Sequence, residues 1–310
     1  MTRNYLDSFK EELLEVFSEA RVRINKFPSP FNQKGLVYLD KFDVFQKESA
    51  KNYICYLLPY WMNEITNIPV EQCRKFSLAN VFNMLYYFLQ DDVMDETPIA
   101  WKEQLALAQL LHSEFEFILR EMFEAASPFW NYRQKYVNEW AVTVVNENKE
   151  DYFMSDNLMI AKKASPLKLA STGALLLANQ PEKIEEVEQL VDHSLVLLQL
   201  ADDLADWKED LQDNNYNCLL SMIKAIKKQE APLEVLEVES YIYDRSILLD
   251  YTNSCHEHIS FIANHTLQLK HLLHFSYSIY EDLYYFAKQV DVTKTALLSG
   301  GFDYILSNNT

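Results

Sequence analysis

Apolar residues recur along most of the chain at spacings of three and four. Leu6, Phe9, Leu13, Val16 and Phe17 form one such face, and residues 102–123 and 130–145 repeat the pattern. This is the signature of helices that turn one side to a core. No run of alternating apolar and polar residues marks a strand. Most prolines fall between the periodic stretches. Pro28, Pro30, Pro69, Pro98, Pro128, Pro181 and Pro232 therefore predict helix boundaries, whereas Pro59 and Pro166 sit within apolar segments and predict kinks or breaks. The pattern predicts about ten helices. With no repeat and no low-complexity linker, one all-α domain over 1–310 is the simplest arrangement. Residues 1–40 are a candidate cap on it, and the tail after Gly301 a candidate loose end.

Composition strengthens the helical reading. The chain of 310 residues has four glycines, where ordinary usage would supply about 22. Few glycines mean few left-handed turns and bulges, which favours helices over sheets. The net charge of -18 repels nucleic-acid phosphate and anionic lipid, so neither is expected as a partner. No segment approaches the roughly 20 apolar residues of a membrane span. Cys55, Cys73, Cys218 and Cys255 form no C-x-x-C pair, and the charged, amphipathic N-terminus does not read as a secretory signal. Reduced thiols in a cytoplasmic protein are the expectation.

Two acidic clusters change the picture. "VFNMLYYFLQDDVMDE" runs from Val81 to Glu96 and sets Asp91, Asp92, Asp95 and Glu96 directly behind an apolar, aromatic stretch. "QLADDLADWKED" runs from Gln199 to Asp210 and does the same behind Leu195–Leu200. On a helix, Asp91 and Asp95 share a face, as do Asp202, Asp206 and Asp210, while Asp203 and Asp210 are also nearly aligned. Like charges stacked this way repel, and half-buried carboxylates are costly without cations. Either cluster alone reads equally well as a solvated helix end. The two together point to oxygen ligands for hard divalent ions, of which Mg²⁺ characteristically binds a few carboxylates, water and substrate phosphates.

"DDVMD" (Asp91–Asp95) and "QLADDLAD" (Gln199–Asp206) resemble the two aspartate-rich motifs of the class I isoprenoid synthases, a superfamily of trans-prenyl diphosphate synthases and terpene cyclases. Gln199 fills the glutamine place of the prenyl-synthase form. "AKKASPLKLASTG" (Ala161–Gly173) is similar to the lysine segment upstream of that motif, with Lys162 or Lys163 as the diphosphate-binding lysine. The motif-level resemblance covers residues 80–220 or so. It implies an all-α helical bundle of the isoprenoid synthase type, with a central apolar cavity capped by three Mg²⁺ ions. Asp91 and Asp95 would hold two ions. The second cluster, with Asp202 and Asp206 foremost and Asp203 and Asp210 as further candidates, would hold the third. Asp92 joins the catalytic set.

The chain departs from the chain-elongating enzymes in two places. It has no glycine-lysine-arginine run, and "ETPIAWKEQ" after Asp95 carries no arginine. A second diphosphate would lack its guanidinium fork. The resemblance therefore implies a terpene cyclase that ionises one allylic prenyl diphosphate, with a C15 substrate favoured over C20. Phe82, Tyr86, Phe88 and Trp207 are candidate aromatic walls for a carbocation, each weighed against ordinary core packing. Tyr86 and Tyr87 lie one turn before the first aspartates and would sit toward the cavity floor. The alternatives are a prenyltransferase that elongates or couples prenyl chains, and a non-catalytic helical partner of a prenyl synthase. A homodimer is a further possibility from the resemblance. Of the histidine pairs His256/His258 and His271/His274, the second is spaced i, i+3 and could bind metal, but with no cysteine or carboxylate arranged around it in sequence it reads as surface or core residues.

Overall fold

The computed structural model describes residues 7–96, 99–228 and 231–307. Among them every regular element is helical: fifteen α-helices, three short 3-10 turns and no strand. The all-α expectation holds. The helices beyond the expected number include Asn63–Thr66, Tyr152–Ser155 and Leu158–Ala161, each a single turn and too short to show a period in sequence. Prolines mark boundaries as anticipated. Pro69 and Pro128 immediately precede Val70–Glu96 and Phe129–Asn146, and Pro181 opens the turn leading into Ile184–Asp213. Pro98 lies outside the described residues. The last helix, Lys270–Ser307, continues through Gly300 and Gly301 rather than ending before them. Among the described residues no helix is long and apolar enough to cross a membrane.

The chain folds into two compact units. The first comprises Met1–Trp140, Ala164–Gln189 and Leu269–Leu272. Its centre is the Val70–Glu96 helix, in which every residue from Phe76 to Leu85 is buried. A helix covered on all sides is a core element. Two of its buried polar residues, Ser77 and Asn80, bond the neighbouring Tyr53–Trp61 helix. Pro59, inside Tyr53–Trp61, lacks the amide that would bond the Cys55 carbonyl, and Asn80 Nδ2 donates to that carbonyl instead (3.0 Å). Ser77 Oγ donates to the neighbouring Tyr56 carbonyl (2.8 Å). The Trp101–Met122 helix packs along the same central helix through Leu107, Leu111, Phe115 and Ile118, the spacing read from the sequence. The Lys10–Ile24 helix also packs on it, and Arg74 Nε donates to Glu12 (2.9 Å). The early segment is therefore part of this unit and not a separate cap. Its buried Leu13, Val16 and Phe17 supply the reason.

Leu169–Leu177 packs against Val70–Glu96 at Gly173. A β-carbon there would stand 2.5 Å from the Phe76 ring and 3.2 Å from Phe123. Phe123 is itself stacked on Phe129 at 3.9 Å, so the rings have little room to yield.

The second unit comprises Ala141–Lys163, Leu190–Gln268 and Leu273–Thr310. Asn217 caps the Cys218–Lys227 helix by accepting from the Leu220 amide (3.1 Å). Tyr251 is wholly buried, and its hydroxyl donates to the Leu200 carbonyl (3.0 Å). His258 is buried, not at the surface, and its Nδ1 lies 2.9 Å from His193 Nδ1. One ring must donate and the other accept. Burial pushes both imidazoles down to about 4; His258 and, less so, His265 add to this for His193, while Asp192 and Glu257 oppose it. All four cysteines are buried and unpaired, and burial pushes the Cys55 and Cys255 thiols up to about 12, which leaves them unreactive.

Gly173→Ala is expected to destabilise the protein by about 1–3 kcal/mol in urea unfolding, because overpacking outweighs a helix-propensity gain of ~1 kcal/mol. Held neutral, His193 and His258 favour the fold fully above the unfolded-state value near 6.5, and this contribution is lost as pH falls toward about 4. Each imidazole should cost about 3 kcal/mol of stability across that window. NMR titration of the two imidazoles checks it directly: both should remain neutral at a pH where exposed histidines are charged.

Candidate functional site

The first acidic segment belongs to the first unit. Where Val70–Glu96 leaves the core, its residues pass from buried to half-exposed: Tyr86, Tyr87, Phe88, Asp91 and Asp92 are all intermediate, and Met94 is 45% exposed. Tyr38 donates to Asp92 Oδ2 (3.3 Å). Burial, then the Asp92 and Asp91 charges, push the Tyr38 phenol well above its ordinary value, which keeps it a donor. An open groove of about 360 Å³ lies beside Asp92, lined by Lys34, Tyr38, Lys41 and Glu103 among others. The backbone of Asp95 and Glu96 completes the helix, and their side chains lie outside the described residues.

The aromatic candidates divide. Phe82 is fully buried in the core and Phe88 packs on Phe42 at 5.1 Å. Tyr86 meets Tyr87 at 4.9 Å and His112 at 4.6 Å, and Tyr87 also meets Trp140 at 4.8 Å. These last two form a half-exposed aromatic cluster one turn below Asp91.

The second acidic segment belongs to the second unit, on the closing turns of Ile184–Asp213. Its carboxylates part into two faces, as the helical period requires. Asp203 is 3% exposed. Its Oδ1 accepts from Gln199 Nε2 (2.7 Å) and its Oδ2 from the Cys218 amide (2.7 Å). Asn217 Nδ2 donates both to the Asp203 carbonyl and to Asp210 Oδ2, each at 2.7 Å. Asp203 thus satisfies the first amide of the Cys218–Lys227 helix, a place that favours a carboxylate. Trp207 is buried on the same side. Asp202 and Asp206 face the other way and are exposed. Crowding by protein, then the Asp203 and Asp206 charges, push the Asp202 carboxyl up to about 7.

Both candidate lysines are ion-paired. Lys162 bonds Asp192, and Lys163 bonds Glu147. They start the 3-10 stretch Lys162–Lys168, in which Pro166 prevents regular helix. Lys163, Gln199 and Asp203 line one small recess of about 10 Å³ with Glu147, Tyr152 and Cys218. Burial raises the Asp203 and Asp210 carboxyls, and the Lys163 charge is among the groups that oppose it. Lys163 is therefore the one beside the second acidic segment. Among the described residues no three His, Cys, Asp or Glu side chains are arranged to hold a metal ion.

No protein-family model and no curated protein matches the chain.

Sequence reading passed over several buried charges, Lys168 the most deeply buried of them. Lys168 is wholly buried in the first unit, 3.1 Å from Glu139 Oε2 and 5.1 Å from the Tyr136 ring centre. Ser165 Oγ also donates to Glu139 (2.5 Å). Tyr136 donates to Glu188 Oε1 (2.5 Å), which Lys135 also neutralises (2.6 Å). The available signal was a single lysine within the apolar run "SPLKLASTGALLL". A charge so placed must find a buried partner.

The two faces of the acidic helix predict opposite mutational behaviour. Asp203→Ala strands the Gln199 and Cys218 donors and should destabilise by about 2–4 kcal/mol. Asp202→Ala removes an exposed, repelled carboxylate and should shift stability by no more than about 0.5 kcal/mol. Urea unfolding of the two variants side by side checks both.

Proposed function

We propose that the chain is a Mg²⁺-dependent class I terpene synthase, which ionises an allylic prenyl diphosphate, C15 favoured over C20, and cyclises the resulting carbocation with release of diphosphate. The observation that carries this reading is the placing of the two acidic motifs. Each stands where a long helix emerges from a packed core, with carboxylates that no hydrogen bond or ion pair takes up among the described residues: Asp91 in one unit, Asp202 and Asp206 in the other. Oxygen donors in twos and threes suit an ion whose shell is completed by water and phosphate oxygens.

In this reading Asp91, Asp95, Asp202 and Asp206 hold Mg²⁺. When bound, Mg²⁺ supplies positive charge against the departing diphosphate. Asp203 and Gln199 do not ligate. They fix the register of the helix that carries Asp202 and Asp206. Lys163 releases Glu147 to meet the leaving group. Tyr86 and Tyr87 offer ring faces to the cation, an interaction of about 2 kcal/mol when water is excluded. Prenyl transfer to a second diphosphate is disfavoured by the want of an arginine pair after Asp95. One observation favours a non-catalytic reading: Lys162 and Lys163 are both committed to carboxylates.

Incubation with Mg²⁺ and single C10, C15 or C20 allylic diphosphates, followed by analysis of organic extracts, separates these readings. Cyclic hydrocarbon or alcohol formed without isopentenyl diphosphate is the expected result, reduced to about 1% or less by Asp91→Ala or Asp202→Ala. Product that requires a second diphosphate would assign a transferase, and intact substrate throughout would assign a non-catalytic protein.

A further inference from the structure

The Lys270–Ser307 helix turns its inner side, with Phe275, Ser276, Leu283 and Ala287, into the second unit. Its outer side is unusually apolar for a surface. Tyr277 is 46% exposed, Tyr284 42%, Tyr285 66% and Val292 57%. At 3.6 residues per turn these four, with Glu281 and Lys288, fall within an arc of about 100°. Along one edge of this face the rings of Tyr277, half-buried Tyr280 and Tyr284 follow one another at 6.1 and 6.0 Å, which joins its two outer tyrosines into a strip. A contiguous strip of this kind marks an interaction surface more often than plain surface.

The charges on the strip say what covers it. Glu281 and Lys288 are both exposed and seven residues apart on the same face. Among the described residues neither forms an ion pair within the chain, and Lys288 rests over the Tyr284 ring at 5.4 Å. An antiparallel copy of the helix, related by a two-fold axis midway between Tyr284 and Tyr285, places Glu281 opposite Lys288 of the copy, and Lys288 opposite Glu281. The same axis sets Tyr277 against Val292 and Tyr284 against Tyr285. A strip that is complementary to its own reversal in both charge and bulk is what an isologous two-fold contact requires. The paired charges flank the aromatic seam, as charges flank the seam of helix pairs generally.

We propose that this face is a dimer interface, occupied by the same face of a second copy of the chain and registered by reciprocal Glu281–Lys288 pairs. The claim is independent of the proposed activity. It rests on one helix face, away from both acidic segments in sequence.

Sedimentation equilibrium of the full chain tests it. The wild type should show a concentration-dependent dimer. Glu281→Lys alone and Lys288→Glu alone should each raise the dimer dissociation constant about tenfold or more, because each sets two like-charge contacts across the axis. The double variant should dimerise again. An equimolar mixture of the two single variants should also dimerise, since the heterodimer restores both pairs. All these positions are exposed, so circular dichroism should be unchanged throughout. A wild type that stays monomeric at every attainable concentration would overturn the proposal, as would a dimer indifferent to the single reversals. Co-sedimentation of monomer with phosphatidylcholine vesicles would reassign the strip to lipid.

Discussion

The structure depends on how it settles charge at the edges of its cores. With 46 acidic and 28 basic residues, the chain cannot pair every carboxylate with a cation. A carboxylate drawn into protein without a donor costs more than most packing contacts return. Asp203 shows the solution adopted on the inner face of the second acidic segment. A side-chain amide and a helix amide take its two oxygens, while Asn217 ties the helix carbonyl and Asp210 together. Lys168, Glu139, Tyr136 and Glu188 settle a second buried set in the first unit. Once these needs are met, no hydrogen bond or ion pair among the described residues takes up Asp202 or Asp206, and both stay exposed. The proposed function rests on that leftover pair.

Much of this architecture was legible in the chain. Helical period located Trp101–Met122 and Phe129–Asn146 closely, because long amphipathic helices repeat their apolar spacing over several turns. Prolines located boundaries because a missing amide acts locally, whatever surrounds it. Single-turn helices were not legible, having no period to show. The division of the chain into two compact units left no composition shift, since residues of both units alternate along the chain without a linker.

The candidate site was legible in residue type and less so in role. A run of aspartates four apart announces shared faces, but not which face is turned inward. Asp202 and Asp203 are neighbours in sequence and opposites in duty, one exposed and one a helix-terminal acceptor. Only the position of Asn217 and Cys218, some fifteen residues on, decides between them. Phe82 likewise reads as a cavity wall from its spacing, yet it is closed off within the core. Partners distant in sequence fix these outcomes, and spacing along one helix carries no record of them.

The most direct test of the central claim is calorimetric titration of inorganic pyrophosphate into the protein, with and without Mg²⁺. The account predicts binding that needs Mg²⁺ and that disappears in Asp91→Asn and in Asp202→Asn, variants that remove charge while keeping shape. Mg²⁺-dependent binding that survives both substitutions, or no binding under any condition, would contradict it.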